Sequence, residues 1–284
     1  MTEIPSLHPL DIPGLLRQAG ITPSRGLGQN FLSDDRVLAR IVEAASVGLG
    51  DTVLEIGPGL GSLTRHLARS ANQVVAVELD RKLIPLLEQT LASHPNITVV
   101  CGDILEVNMR DLGLPPGYLV VANIPYYITS AVIRHLLEGE IRPARVALTV
   151  QMEVAQRICA GTGDMNLLAL SVQVYGAPRV MSRIPAGAFY PSPKIDSAVV
   201  RIDLYPQPLV PENDLARFFQ LCKAGFSQKR KTVRNSLSAG LRLPATSVEN
   251  LLTAAAIDPT RRAETLSIDE WGKLVTFSKQ MGIK

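Results

Sequence analysis

Val53-Leu54-Glu55-Ile56-Gly57-Pro58-Gly59-Leu60-Gly61, followed after a helix-like segment by Val74-Val75-Ala76-Val77-Glu78, is the stretch that decides the fold. An apolar run of strand length ends in closely spaced glycines. Ser62–Ala68 then carries helical periodicity, and a second apolar run follows. Strand, turn, helix and strand in that order make a parallel unit with a crossover helix. Glycines at the turn let the chain reverse sharply and let a ligand approach the backbone, because no Cβ intervenes. Glu78 closes the second strand roughly 20 residues beyond Gly57, where a carboxylate accepts from both hydroxyls of a ribose. A nicotinamide dinucleotide prefers Gly-x-Gly-x-x-Gly, which sets a helix N-terminus against its pyrophosphate. Here the spacing is Gly-x-Gly-x-Gly with Ser62 next, a form that suits S-adenosylmethionine, which has no pyrophosphate. A tight turn without a ligand is the competing reading, and Glu78 at the expected offset argues against it. Asp103 ends a further strand and is placed either to accept from an adenine amino group or to cap a helix.

Outward from this unit the alternation continues. Residues 11–20 and 34–47 read as helices, the second started by Ser33-Asp34-Asp35. Arg81–Ser93, Ser130–Leu137 and Glu153–Ala160 read as helices. Ile97–Cys101, Leu119–Ala122 and Arg145–Gln151 read as strands. Leu167–Tyr175 and Ser197–Tyr205 are expected as two strands pairing antiparallel at the sheet edge. The proline-rich Pro206–Pro211 reads as a linker, and 212–280 is helical throughout. The expected fold is therefore α/β: a Rossmann-like, mostly parallel sheet with an antiparallel edge strand, plus a small all-helical C-terminal domain. The expected boundaries are 1–206 and 207–284.

Asn123-Ile124-Pro125-Tyr126 follows the strand Leu119–Ala122. An exocyclic adenine amine is a poor nucleophile because its lone pair is delocalised into the ring. The Asn123 amide oxygen and the Ile124 carbonyl can each accept one of its N–H groups, which favours a pyramidal amine with an exposed lone pair. Tyr126 can stack on the ring and fix its plane. Pro125 stiffens the turn and brings no competing N–H. A proline-terminated strand with a core tyrosine is the structural alternative.

Bulk properties narrow the classes. A chain of 284 residues suits one large domain and a smaller one, and 46% hydrophobic residues exclude a disordered composition. A net charge of +3 requires any polyanion site to come from local clustering. Cys101, Cys159 and Cys222 form no paired framework, so reduced thiols and a cytoplasmic location are expected. His8, His66, His94 and His135 are scattered, and no metal site is expected. Neither a signal peptide nor a membrane span is expected. From Leu215 to Val248 there are seven basic residues and no acidic ones. Lys223, Lys229, Arg230, Lys231 and Arg234 there are the candidate RNA-binding residues, read as a phosphate-facing helix. A solvated charged face is the bland alternative.

Jointly these motifs resemble the ribosomal RNA adenine N6-dimethyltransferases, most nearly the bacterial 16S type, from about Gly26 to the end of the chain. Gly28-Gln29-Asn30-Phe31-Leu32 is similar to that family's N-terminal motif over the cofactor, and Glu55–Thr64 to its glycine turn. Asn123–Tyr126 is similar to its catalytic motif and Phe189–Ser197 to its late motif. Gln228–Thr232 is similar to its basic helix. The resemblance implies contacts to S-adenosylmethionine from Gln29, Asn30, Leu32, Gly57, Gly59, Glu78, Leu79, Asp103, Ile104 and Asn123. It implies catalytic roles for Asn123, Ile124, Pro125, Tyr126 and Phe189, the last stacking on an extruded adenine. It further implies a monomer that dimethylates two adjacent adenosines in a hairpin loop near the 3′ end of 16S rRNA within the small ribosomal subunit. Two departures stand out: Pro23–Gly26 is less basic than the family's pattern, and Met152 stands where a lysine is usual. A 23S rRNA methyltransferase and a nucleic-acid-binding assembly or transcription factor remain the alternative functions, with a dehydrogenase behind them.

Overall fold

The computed structural model describes residues 7–124 and 128–283. In the order of the chain, its larger elements are α1 (Ile12–Gln18), β1 (Phe31–Leu32), α2 (Asp35–Ala45), β2 (Thr52–Ile56), α3 (Ser62–Ser70), β3 (Gln73–Glu78), α4 (Ile84–Leu91) and β4 (Ile97–Cys101). Next come β5 (Leu119–Asn123), α5 (Thr129–Glu138), β6 (Arg145–Gln151), α6 (Met152–Ile158), α7 (Leu167–Gln173), β7 (Gly176–Ile184), β8 (Phe189–Tyr190) and β9 (Ser197–Leu204). Helices α8 (Leu215–Gly225), α9 (Val233–Leu241), α10 (Ala245–Ala254) and α11 (Ile268–Gln280) complete the series.

Apolar runs of β-branched residues form the centre of a seven-stranded sheet in the order β4-β3-β2-β5-β6-β9-β7. Strands β4, β3, β2, β5 and β6 are mutually parallel, and β9 runs antiparallel to β6. The crossover helices cover the faces, so β2, β5 and β6 are buried along nearly their whole length. Helix α2 begins where expected: the Asp34 carboxylate accepts from the amides of Arg36 and Val37. Val37, Leu38, Ile41 and Val42 then pack into a core with Leu63 and Leu67 of α3 and Val53 of β2. The strand order reverses between β2 and β5. That is the point at which doubly wound sheets open a crevice beyond the carboxyl ends of their strands.

The structure departs from the sequence reading at several places. Leu167–Tyr175 is not an edge strand: Leu167–Gln173 is helix α7, and the neighbour of β9 is the later segment β7. A short apolar run without strict alternation fits either element. Here Asn166 settles it by accepting from the Ala169 amide and capping a helix rich in Leu and Ala, with Val172 its one β-branched residue. Secondly, β1 and β8 form a separate two-stranded antiparallel ladder, Phe31 opposite Tyr190 and Leu32 opposite Phe189, which two-residue strands gave no periodicity to reveal. The predicted helix at Arg81 also starts later, at Ile84, after a turn.

The chain divides into two compact units. One comprises Met1–Ala155 and Arg179–Leu204; the other comprises Gln156–Pro178 and Tyr205–Lys284. The segment 156–178, expected with the sheet, thus clusters with the C-terminal helices. Within that second unit, Trp271 of α11 is fully buried, and a Cβ at Gly225 of α8 would lie 2.3 Å from its ring. Phe218, Leu237, Leu251 and Leu274 are buried with it. Among the described residues no helix is long and apolar enough to cross a membrane.

Candidate active site

The turn after β2 needs glycine for geometric reasons. Gly57, Gly59 and Gly61 have φ of +69°, +61° and +85°, the left-handed region that side-chain-bearing residues avoid. At Gly59 a Cβ would also stand 2.9 Å from the Phe31 ring. At Gly57 a Cβ would lie 3.8 Å from the Asn123 carbonyl oxygen, so the turn after β2 and the end of β5 are neighbours. Between them opens a cleft beyond the carboxyl ends of the strands, where such sheets bind their ligands. Gln29, Asn30, Leu32, Gly57, Gly59, Glu78, Asn123 and Ile124, all anticipated from the sequence, line it.

Glu78 is buried, and its two carboxylate oxygens accept from the Gly59 amide at 2.9 Å and the Asp80 amide at 2.8 Å. Burial raises its pKa above the ordinary carboxylate value, and these amides partly offset the rise. The carboxylate therefore ties the glycine turn to the end of β3. Asp80 in turn accepts from the Gln29 side chain at 2.8 Å, which fixes the N-terminal segment over the cleft. That segment is held elsewhere too. Phe31 packs with Leu60, Leu83 and the α1 residues Ile12 and Leu16, and the Ser33 amide donates to the Ala188 carbonyl at 2.9 Å.

Asn123 donates from Nδ2 to the Asn30 carbonyl at 3.1 Å. With its nitrogen so engaged, the amide oxygen is the atom that can accept a proton donor from a substrate. Ile124 is buried next to it. Pro125 and Tyr126 lie outside the described residues.

Other anticipated residues sit differently. Asp103 does not line this cleft; its carboxylate accepts from the Leu105 amide at 2.9 Å at the start of a turn rather than of a helix. Leu79 is exposed and Ile104 buried, both outside the lining. Phe189 is 4% exposed and packs in the core that contains Leu32 and Ala188. Stacking on a base therefore calls for the ring to leave that core. In the helical unit Lys223, Lys229, Arg230 and Lys231 are exposed. Lys229–Lys231 form not a helix but the turn between α8 and α9, where the Lys231 amide donates to the Gln228 carbonyl and Thr232 caps α9. Arg234 pairs with Glu249 at 3.1 Å, an acid just beyond the run of sequence that carries none.

Sequence reasoning passed over Glu55, which the structure places in the cleft lining. It is 1% exposed, its Oε2 accepts no hydrogen bond from the described residues, and burial pushes its pKa up to about 8. The Thr64 hydroxyl opposes that rise and the Glu78 charge adds to it. A signal was present: a lone acid inside an otherwise apolar strand.

A crevice at a topological switch point, with a ribose-type carboxylate but no third glycine spaced for pyrophosphate, belongs to the class I S-adenosylmethionine-dependent methyltransferases. The residues fit that cofactor. The turn leaves its backbone open where a Cβ would intrude, the Glu78 carboxylate is held against it by the Gly59 amide, and one buried oxygen of Glu55 has no hydrogen-bond partner among the described residues. The family described as "Ribosomal RNA adenine dimethylase" matches residues 23–280. A curated relative from Dehalococcoides mccartyi (strain CBDB1), "Ribosomal RNA small subunit methyltransferase A", is 49% identical over 252 residues, covering 88% of this chain and 86% of its own. The protein of the same name from Moorella thermoacetica is 42% identical, over 92% of this chain and 94% of its own. The solved structure of 23S rRNA methyltransferase ErmE superimposes with a TM-score of 0.71 at 30% identity, covering 88% of this chain and all of that one. The chain belongs to the ribosomal RNA adenine dimethylase family, and it is an S-adenosylmethionine-dependent rRNA adenine dimethyltransferase.

Proposed function

We propose that this enzyme dimethylates the N6 amines of two adjacent adenosines in a hairpin loop near the 3′ end of 16S rRNA, within the small ribosomal subunit. It works in the cytoplasm as a monomer and has a role in subunit biogenesis. The observation that carries the chemistry is the Asn123 side chain, anchored by the Asn30 carbonyl with its oxygen left to accept, beside Gly57 at the switch point. The names of relatives up to 49% identical support the small-subunit RNA.

When bound, S-adenosylmethionine supplies an electrophilic methyl group, so the protein's task is mainly alignment. Glu78 would hold the ribose, the glycine turn would admit the methionine end, and Gln29, Asn30 and Leu32 would cover the cofactor. Asn123 and the Ile124 carbonyl would each accept one N–H of the adenine, turning the lone pair outward. Tyr126 would stack on the ring, joined by Phe189 if it swings from its core. No general base is needed before attack, because the amine becomes acidic once alkylated. Lys223, Lys229, Arg230 and Lys231 would meet phosphates.

A second reading, a 23S rRNA substrate, draws on the 30% identity to ErmE. Methylation of purified small-subunit particles beside free 23S RNA separates the two. Mass spectrometry should find adjacent dimethyladenosines in the small-subunit RNA, and labelling of 23S RNA alone would overturn the assignment. An assembly factor without catalysis is excluded if Asn123→Ala abolishes labelling while particle binding persists.

A further inference from the structure

We infer that Thr149 is a positioning residue for Asn123: in the reacting complex its hydroxyl donates across the β5–β6 ladder to the Asn123 amide oxygen and fixes the plane in which that oxygen meets the substrate amine. The inference rests on the role given to Asn123 above and deepens it. Register comes first. Thr149 of β6 is the ladder partner of Asn123 at the end of β5. Side chains alternate along a strand, and paired residues share a face. Leu119 and Val121 of β5, Ala147 of β6 and Val199 of β9 all pack in the core that holds Leu32 and Phe189. Asn123, two residues beyond Val121, stands on that same face, and so does Thr149, two beyond Ala147 and paired with Val199. Neighbouring strands lie about 4.8 Å apart, so two short side chains there are within hydrogen-bonding reach.

The second observation is what the hydroxyl lacks. Thr149 is fully buried, and its Oγ1 has no hydrogen-bond partner among the described residues. The backbone around it is taken up by the ladders with β5 and β9. Valine would fill the same volume, as Val121 and Val199 do nearby, and would leave no polar group stranded. A threonine here costs stability in the free enzyme, which points to a partner gained at another stage. Of its two cross-strand neighbours, Val199 brings no polar side-chain atom and Asn123 does. The Asn123 nitrogen is tied to the Asn30 carbonyl, a single bond about which the amide can still turn. Its oxygen has two acceptor positions, one for an N–H of the adenine and one for the hydroxyl. Rotation about the Cα–Cβ bond exchanges the threonine hydroxyl and methyl, which are similar in size, so the bond forms without a backbone shift.

Thr149→Val removes the hydroxyl and keeps the shape. With the RNA that the wild type labels, kcat for methyl transfer should fall about tenfold, the weight of one neutral hydrogen bond, while KM for RNA and the Kd for S-adenosylmethionine are unchanged. Tm should hold or rise, and Thr149→Ser should restore most of kcat. In the Asn123→Ala background, Thr149→Val should leave the residual rate as it is, because the hydroxyl acts only through that amide. A purely structural threonine would instead lower Tm or leave kcat untouched. The inference is overturned if Thr149→Val turns over like wild type, if serine fails to rescue, or if the loss is as large without Asn123. An Asn123→Ala enzyme with wild-type kcat would strike at the reading of Asn123 itself, and the inference would go with it. Should Thr149→Val fail to fold, Thr149→Ala against Thr149→Ser decides. A kcat about tenfold lower in alanine alone supports the inference, and equal kcat refutes it.

Discussion

Replacing Gly59 by alanine tests the geometry that makes the cleft. Two costs arise. The backbone at φ +61° disfavours a Cβ by about 1 kcal/mol. The new methyl would then stand 2.9 Å from Phe31, a ring 8% exposed and packed against Leu60 and Leu83, so it cannot simply swing into solvent. Overpacking of that kind costs about 1–3 kcal/mol. The sum, about 2–4 kcal/mol, corresponds to a fall in Tm on the order of 5–10 °C for a unit of this size. Gly113→Ala is the control: φ is +65° there, yet nothing lies within 4 Å of the added carbon, so only the backbone cost of about 1 kcal/mol applies. Because Phe31 belongs to the segment covering the cleft, Gly59→Ala should also weaken S-adenosylmethionine binding by at least about tenfold, while Gly113→Ala leaves the Kd unchanged. Phe31→Leu combined with Gly59→Ala should recover part of both losses, giving a non-additive cycle. Differential scanning calorimetry and isothermal titration read the two quantities. If Gly59→Ala melts with Gly113→Ala and binds cofactor like wild type, the steric reasoning about this turn is wrong.

Asn123→Ala removes the acceptor offered to the amine and the tie to Asn30, so methyl incorporation into rRNA should fall about 100-fold or more, roughly the loss of one preorganised polar contact, with Tm little changed. Changing Lys229, Arg230 and Lys231 together to Ala should leave the fold intact, because all three are exposed in a turn. RNA affinity should weaken, and the slope of log K against log salt should shrink by about 2–3, as a filter-binding salt series would reveal. Asp203 offers a pH prediction: burial raises its carboxyl, but hydrogen bonds and charge from Arg201 and Arg145 outweigh this and hold it below its ordinary value. A depressed folded-state pKa contributes stability that is complete above about pH 4 and disappears as pH falls through the lower folded value. Asp203→Asn should therefore lower Tm at pH 7 and flatten its acid dependence. An unaltered acid slope in urea-melt series would remove this pair from the account.

By itself the sequence determined the alternating framework, the glycine turn and the candidates Asn123 and Glu78. Each rests on local chemistry: hydrophobic period, a backbone conformation only glycine tolerates, or a polar side chain at a strand end. Leu167–Tyr175 was misread because a short apolar run is compatible with either element until its cap and neighbours act on it. Glu55 was passed over although a lone acid in an apolar strand marks it, because its burial and its place in the cleft lining belong to the folded chain. Only the tertiary structure decided that β2 and β5 are adjacent, bringing Gly57 to Asn123 across 65 intervening residues. It also decided that the β1–β8 ladder ties Leu32 to Phe189, placing that aromatic ring in a core rather than in the cleft. Strand order and long-range pairing are set by how all the apolar faces are buried at once. The crevice they open is therefore a property of the assembled sheet, although several of its residues can be named from the chain.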